Sequence, residues 1–143
     1  MRVVIKPEYQ KYDKEFRSIP EWIAEGKGES IHEGRNIIRR FIIQGQPFMV
    51  KRFKRVNWIQ SFIYSLFRKT KAEHAFIYAK AYRERGIDTP EEVAFIETRN
   101  CCGWFRNGYF ISLVSPYPPV CPLAEQTDQY DNQLVNDLAG MMV

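Results

Sequence analysis

The stretch PFMVKRF, residues 47–53, sets one lysine into a run of strand-forming apolar residues. An ammonium group is costly to desolvate, so Lys51 needs a route to water or a fixed anionic partner. The chemistry open to such a group is the capture of an anion. Other reactive residue types offer less. His32 and His74 have no cluster of carboxylates or cysteines beside them and read as surface or cap residues, not metal ligands. Cys101 and Cys102 are adjacent and Cys121 stands alone. That spacing fits neither a disulfide framework nor a zinc site, so reduced, structural thiols are expected. The glycines of EGKGES miss the Walker A spacing.

The elements that must hold Lys51 follow from hydrophobic periodicity. RVVIK (2–6) reads as a strand closed by Pro7. Residues 8–25 read as a short helix or turn, then a second helical piece, PEWIAEG, starting at Pro20. ESIHEG (29–34) leads into NIIRRFII (36–43), the turn QGQ (44–46) and PFMVKRF, so the last two runs form an antiparallel hairpin. If its turn has two residues, Gln44-Gly45 or Gly45-Gln46, then Ile38, Ile42, Met49 and Lys51 share one face; a three-residue turn reverses that parity.

From Trp58 the period changes to that of an amphipathic helix, with Ile59, Phe62, Ile63, Leu66 and Phe67 in its stripe. A second helix, TKAEHAFIYAKAYRERG, carries Ala72, Ala75, Phe76, Ala79 and Tyr82 on its apolar side and stops at Gly86. VAFIETR (93–99) and GYFISLVSPY (108–117) are strands around a CCGWFRNG turn. SPYPPVCP, with four prolines in eight residues, is a linker because proline removes ladder donors. DNQLVNDLAGMMV starts a final helix with Leu134, Leu138, Met141 and Met142 on its apolar side. Ending inside that helix leaves an apolar face open, as expected of a piece of a longer protein, and such a face could support oligomerisation.

At 143 residues, 45% apolar and 15% aromatic, the chain can build one core. A net charge of +4 gives a mild preference for anionic partners. No apolar run reaches the roughly 18 residues that span a bilayer, and MRVVIKPEYQ has no secretory h-region, so an intracellular, cytoplasmic chain is expected. KRFKRVNW interleaves basic and aromatic residues, but no RNP-like, helix-turn-helix or zinc signature accompanies it, and no nucleic-acid partner is expected.

The order of elements resembles the small N-terminal lobe of the protein-kinase-like fold. FMVK (48–51) resembles the V-A-I-K element of that lobe's third strand. The resemblance implies that Lys51 contacts the α- and β-phosphates of ATP and pairs with a glutamate on the following helix. Glu73 is the natural counterpart; Glu84 and Glu97 are further candidates. More narrowly, IHEGRNIIRRF and GQPFMVKRFK, followed by KTKAEHAFIYAKAYRERGIDTPEEVAFIE, are similar to the bacterial lipopolysaccharide core kinases, the Kdo and heptose kinase family. That similarity covers roughly residues 26–142, with the distinctive residues in 31–97.

It implies an α+β fold: a five-stranded antiparallel sheet packed on one main helix, with an accessory N-terminal strand and the start of a large-lobe helix. The organisation implied is an extension over 1–25, a nucleotide-binding lobe over 26–117 and a Pro-rich hinge and helix start over 118–143. HEGRN stands where ordinary protein kinases carry G-x-G-x-x-G, leaving Gly34, with Arg35 and Asn36 as phosphate donors. Ile38 and Met49 would cover the adenine, whose edge would bond hinge backbone near Val114 to Tyr117, around Ser115. The family phosphorylates an inner-core sugar at the inner membrane, so ATP with Mg2+, a lipopolysaccharide core sugar and a peripheral membrane contact through residues 56–68 are implied. An aromatic stripe such as this more often packs on a sheet, which is the competing reading of that segment. Neither an H-R-D-like loop nor D-F-G occurs in the sequence, so base and magnesium ligands would lie in a larger lobe, and the chain alone should transfer no phosphate. Two other classes remain: a non-catalytic binding module for a partner or membrane surface, and a protein kinase of unusual sequence.

Overall fold

The computed structural model describes residues 1–53 and 69–116. The helix expected from Trp58, the residues after Pro116 and the terminal helix lie outside the described residues. Strands β1 (Arg2–Ile5), β2 (Glu29–Glu33), β3 (Ile37–Ile43), β4 (Gln46–Arg52), β5 (Glu92–Arg99) and β6 (Phe105–Leu113) form one sheet in the order β1-β5-β6-β4-β3-β2. All its pairings are antiparallel. The sheet therefore has six strands where five were expected, because the accessory N-terminal strand hydrogen-bonds to the β5 edge instead of standing apart. Strand β6 also starts three residues before the expected Gly108, since Phe105 is buried and pairs with Arg99. Cys101 and Cys102 are free and exposed in the turn before it.

One face of the sheet is covered by a 3-10 turn (Pro7–Tyr12) running into helix α1 (Asp13–Ala24). Phe16, Ile19 and Ile23 recur on the inner side of α1 and are buried. Phe16 and Tyr12 meet the ring of Phe48 edge-on at 5.3 and 5.1 Å. Pro20 was expected to open a second helical piece but sits inside α1. An internal proline costs about 3 kcal/mol, and burial of the three apolar side chains, about 1.5–3 kcal/mol each, outweighs it.

The hairpin β3–β4 turns on Gln44 and Gly45, with φ of 51° and 82°, the left-handed pair that suits a two-residue turn between twisted strands. Ile38 thus faces Lys51 across the ladder, Arg40 faces Met49 and Ile42 faces Pro47. These side chains occupy the sheet face opposite α1, because Phe48 and Val50 alternate with them and point into the α1 core.

Helix α2 (Lys71–Glu84) packs on this second face over β5 and β6. Its contact side is built from small residues: Ala72 and Ala79 are buried, and Phe76 meets Phe95 at 5.5 Å. Tyr82, expected in the apolar stripe, is 45% exposed and pairs with Tyr78 on the outer side. The helix ends at Gly86, where Gly86 N bonds Arg83 O and Ile87 N bonds Tyr82 O.

An ionic cluster pins this C-terminal end of α2 to the sheet. Arg83 lies 3.4 Å from the buried Glu92 and 3.5 Å from Glu91, and Lys6 is paired with both carboxylates. The hydrogen bond from Lys6 holds the Glu91 carboxyl below its ordinary value, against the opposing effect of burial. A carboxylate with a lowered folded pKa stabilises the fold above the unfolded value and loses that contribution as pH falls through the folded one. Glu91→Gln is therefore expected to flatten the loss of thermal stability below about pH 4.5, with a cost near neutrality of about 1 kcal/mol or less for so open a pair. Melting curves across the acid range check this; parallel curves for both proteins would contradict it.

Candidate functional site

Lys51 lies mid-strand in β4, with Ile38 beside it on β3 and Phe110 beside it on β6. It is half-buried. Its ammonium lies 5.3 Å from the ring centroid of Phe53, so the side chain leans along its own strand towards the β4 terminus. Among the described residues no carboxylate pairs with it. The sheet register explains what stands nearby. Phe53 N bonds Gly108 O, and a Cβ on Gly108 would come within 3.1 Å of the Ala72 methyl. Glycine at 108 thus lets the first turn of α2 settle directly on the sheet, diagonal to Lys51.

That first turn carries Glu73. Thr70 caps α2, its Oγ1 accepting from Glu73 N at 3.2 Å, and the same hydroxyl donates to Glu97 Oε1 at 2.7 Å. The Glu73 carboxylate is held at both oxygens by the Arg2 guanidinium, at 3.2 and 3.5 Å. Arg2 also reaches Glu97 at 3.5 Å and lies over the Phe95 ring. Burial works against the Arg2 charge, but its hydrogen bond to Glu73 and the charge of Glu97 prevail and raise its pKa. Each acid considered for Lys51 is engaged elsewhere: Glu73 and Glu97 with Arg2, and Glu84 with Lys80 at 3.9 Å.

Gly34, Arg35 and Asn36 form the β2–β3 loop, closed by a bond from Gly34 N to Asn36 O at 3.1 Å. Ile37, the residue after it, pairs with Arg52, so the loop sits at the end of the sheet towards which Lys51 leans. Ile38 and Met49 are half-buried on the Lys51 face. Ser115 follows the end of β6, where Leu113 pairs with Phe48, and so lies at the opposite end of these strands. A basic loop at one end, Lys51 and two apolar side chains in the middle and a chain segment at the other end form a strip along β3 and β4.

Two residues escaped the sequence reading. Arg40 faces Met49 on the strip, its Nε 3.6 Å from a Glu29 carboxylate oxygen. The parity that groups Ile38 with Ile42 already implied its placement. Arg2 carried no such signal, since its partner Glu73 is 71 residues away. Among the described residues, no group of three His, Cys, Asp or Glu could hold a metal ion.

No family model matches the chain, and no curated protein matches it. Among solved structures it is similar to one described as WaaP in complex with acyl carrier protein, at 15% identity and a TM-score of 0.49. The match covers 90% of this chain and 47% of that one, so the chain spans about half the length of that structure. A likeness of this degree carries no functional weight, and the residues must.

Thr70 joins the helix cap to the buried Glu97, so Thr70→Ala is expected to cost about 1–3 kcal/mol by losing the cap and leaving a buried carboxylate short of a donor. Thr70→Ser should recover most of that loss. Urea denaturation of the three proteins decides, and equal midpoints for Thr70→Ala and the parent would contradict the assignment.

Proposed function

We propose that this chain is the ATP-binding lobe of a sugar kinase of the lipopolysaccharide-core type, with the nucleotide lying along the strip on β3 and β4. In this reading Lys51 takes the α- and β-phosphates, and the β2–β3 loop supplies Arg35 and the backbone donors of Gly34 to Asn36. Ile38 and Met49 cover the adenine face, and backbone near Ser115 meets its edge. Glu73 belongs to the lobe's scaffold. Mg2+ and the catalytic base would be supplied by residues outside these 143, as would most of the sugar site. Phosphoryl transfer to an inner-core sugar is then a property of a longer protein, and a cytoplasmic position beside the inner membrane is part of the same proposal.

The observation that carries the reading is the state of Lys51. A half-buried ammonium placed on a strand over the Phe53 ring, with no carboxylate against it among the described residues, is suited to taking an anion. The flanking Ile38 and Met49 favour an anion with a flat apolar portion, as in a nucleotide. Similarity of FMVK, HEGRN and KAEHAF to the kinase family supports the same assignment.

Anisotropy of a fluorescent ATP analogue tests it. Lys51→Met is expected to weaken binding roughly tenfold or more, the worth of a charged hydrogen bond to phosphate. Identical affinity in Lys51→Met and the parent would remove the nucleotide and leave the reading of a non-catalytic binding module.

A further inference from the structure

The turn between β5 and β6 holds two thiols side by side. Cys101 and Cys102 are reduced, as expected, but both are exposed, so packing gives them no role. Their backbone is held from both sides. Gly103 N bonds Asn100 O at 3.0 Å to close the turn, and Asn100 N bonds Trp104 O at 2.9 Å. The Asn100 side-chain oxygen accepts from Cys102 N at 3.1 Å and from Trp104 N at 2.8 Å. Gly103 takes the left-handed position of the turn at a φ of 80°, and Arg99 donates to its carbonyl at 3.0 Å. Within this frame the two thiols are hydrogen-bonded to each other, and that contact holds the Cys102 thiol above its ordinary pKa.

The geometry points to the Cys101–Cys102 turn as a bidentate dithiol site for a soft, thiophilic centre that takes two sulfurs at a bent angle, the chemistry of trivalent arsenic. This site is independent of the nucleotide reading. Adjacent Cα atoms stand about 3.8 Å apart across a trans peptide, below the roughly 4.4–6.8 Å that a relaxed disulfide spans, so the pair closes on itself only under strain. A further atom set between the sulfurs widens the ring and removes that constraint. Sulfurs already in contact suit a centre that binds both at a bent angle; a linear cation needs them on opposite sides of it. No third ligand joins them among the described residues, so a centre that requires three or four protein donors, as zinc does, is not served there. With an arsenical oxide the exchange breaks the As–O bond and two S–H bonds and forms two As–S bonds. Both protons leave with the oxide oxygen as one water, arsenic stays trivalent, and no oxidant is required.

Phenylarsine oxide is the probe, with the reduced protein read by intact mass and by thiol counting. The protein is expected to gain one phenylarsenic group and to lose two titratable thiols. Excess glutathione, a monothiol, should leave the adduct in place and dimercaptopropanol should remove it, because a second sulfur on the same turn acts at high effective concentration. Cys101→Ser and Cys102→Ser are each expected to lose affinity roughly a hundredfold and to release the adduct to glutathione. Cys121→Ser, which removes the remaining cysteine, is expected to keep it. Retention by either of the first two variants would overturn the proposal, and so would loss in Cys121→Ser, by showing that Cys121 supplies one of the sulfurs. Asn100→Ala separates a built turn from two thiols that are merely adjacent in sequence. It is expected to weaken affinity roughly fivefold, the effect of releasing one turn hydrogen bond. Equal affinity in Asn100→Ala and the parent would show that the fold plays no part and would overturn the assignment to this turn.

Discussion

A guanidinium shared between two carboxylates ties the first turn of helix α2 to the sheet. Helix α2 meets the sheet through the small side chains of Ala72 and Ala79 and through Phe76 against Phe95. What the small residues permit is proximity, with Ala72 against Gly108. Direction comes from polar groups: Arg2 with Glu73 and Glu97 at one end, Lys6 and Arg83 with Glu91 and Glu92 at the other. Glu97 and Glu92 are both buried and satisfied, and a buried carboxylate that loses its partner is far more costly than a surface pair is worth. The helix is therefore held both by what it buries and by the acids that cannot be left alone.

The consequence for Lys51 is a division of labour between the two halves of that face. Strands β5 and β6 carry α2 and its ionic anchors, whereas β3 and β4 present Ile38, Arg40, Met49 and Lys51. Because Arg2 on β1, Lys6 just after it and Arg83 on the helix pair with these acids, Lys51 is not among the groups that anchor α2. A charge that the scaffold does not use is free to serve a ligand. On the opposite face Phe48, Val50, Phe16 and Ile19 are fully buried, and Phe16 meets the Phe48 ring edge-on.

Much of this was legible in the sequence, and the limits have physical causes. Strand parity followed from one turn, because two residues at positive φ fix the register and the register fixes every face assignment in the hairpin. The extent of α2 was readable from its spacing and from Gly86. Two features were not readable. Pro20 signals a helix start by local rules, yet the burial of residues on both sides of it carries α1 straight through. The Arg2–Glu73 contact joins segments 71 residues apart, and no local pattern records a partner chosen by sheet topology. A lysine in a strand and a glutamate on the next helix read as a pair until a strand from the far N-terminus is seen to intervene. Arg40 differs again: the parity argument placed it, but attention to apolar positions passed over it.

The central claim is that the β3–β4 half of the α2-side face receives a nucleotide through Lys51. Isotope-edited NMR of the chain titrated with a non-hydrolysable ATP analogue tests it most directly. The account predicts that the largest shift changes fall on Gly34 to Ile38, Met49, Lys51 and the backbone near Ser115, with Phe16 and Phe48 behind the sheet nearly still. Changes centred instead on the Cys101 to Trp104 turn or on α1, or no saturable change at all, would contradict it.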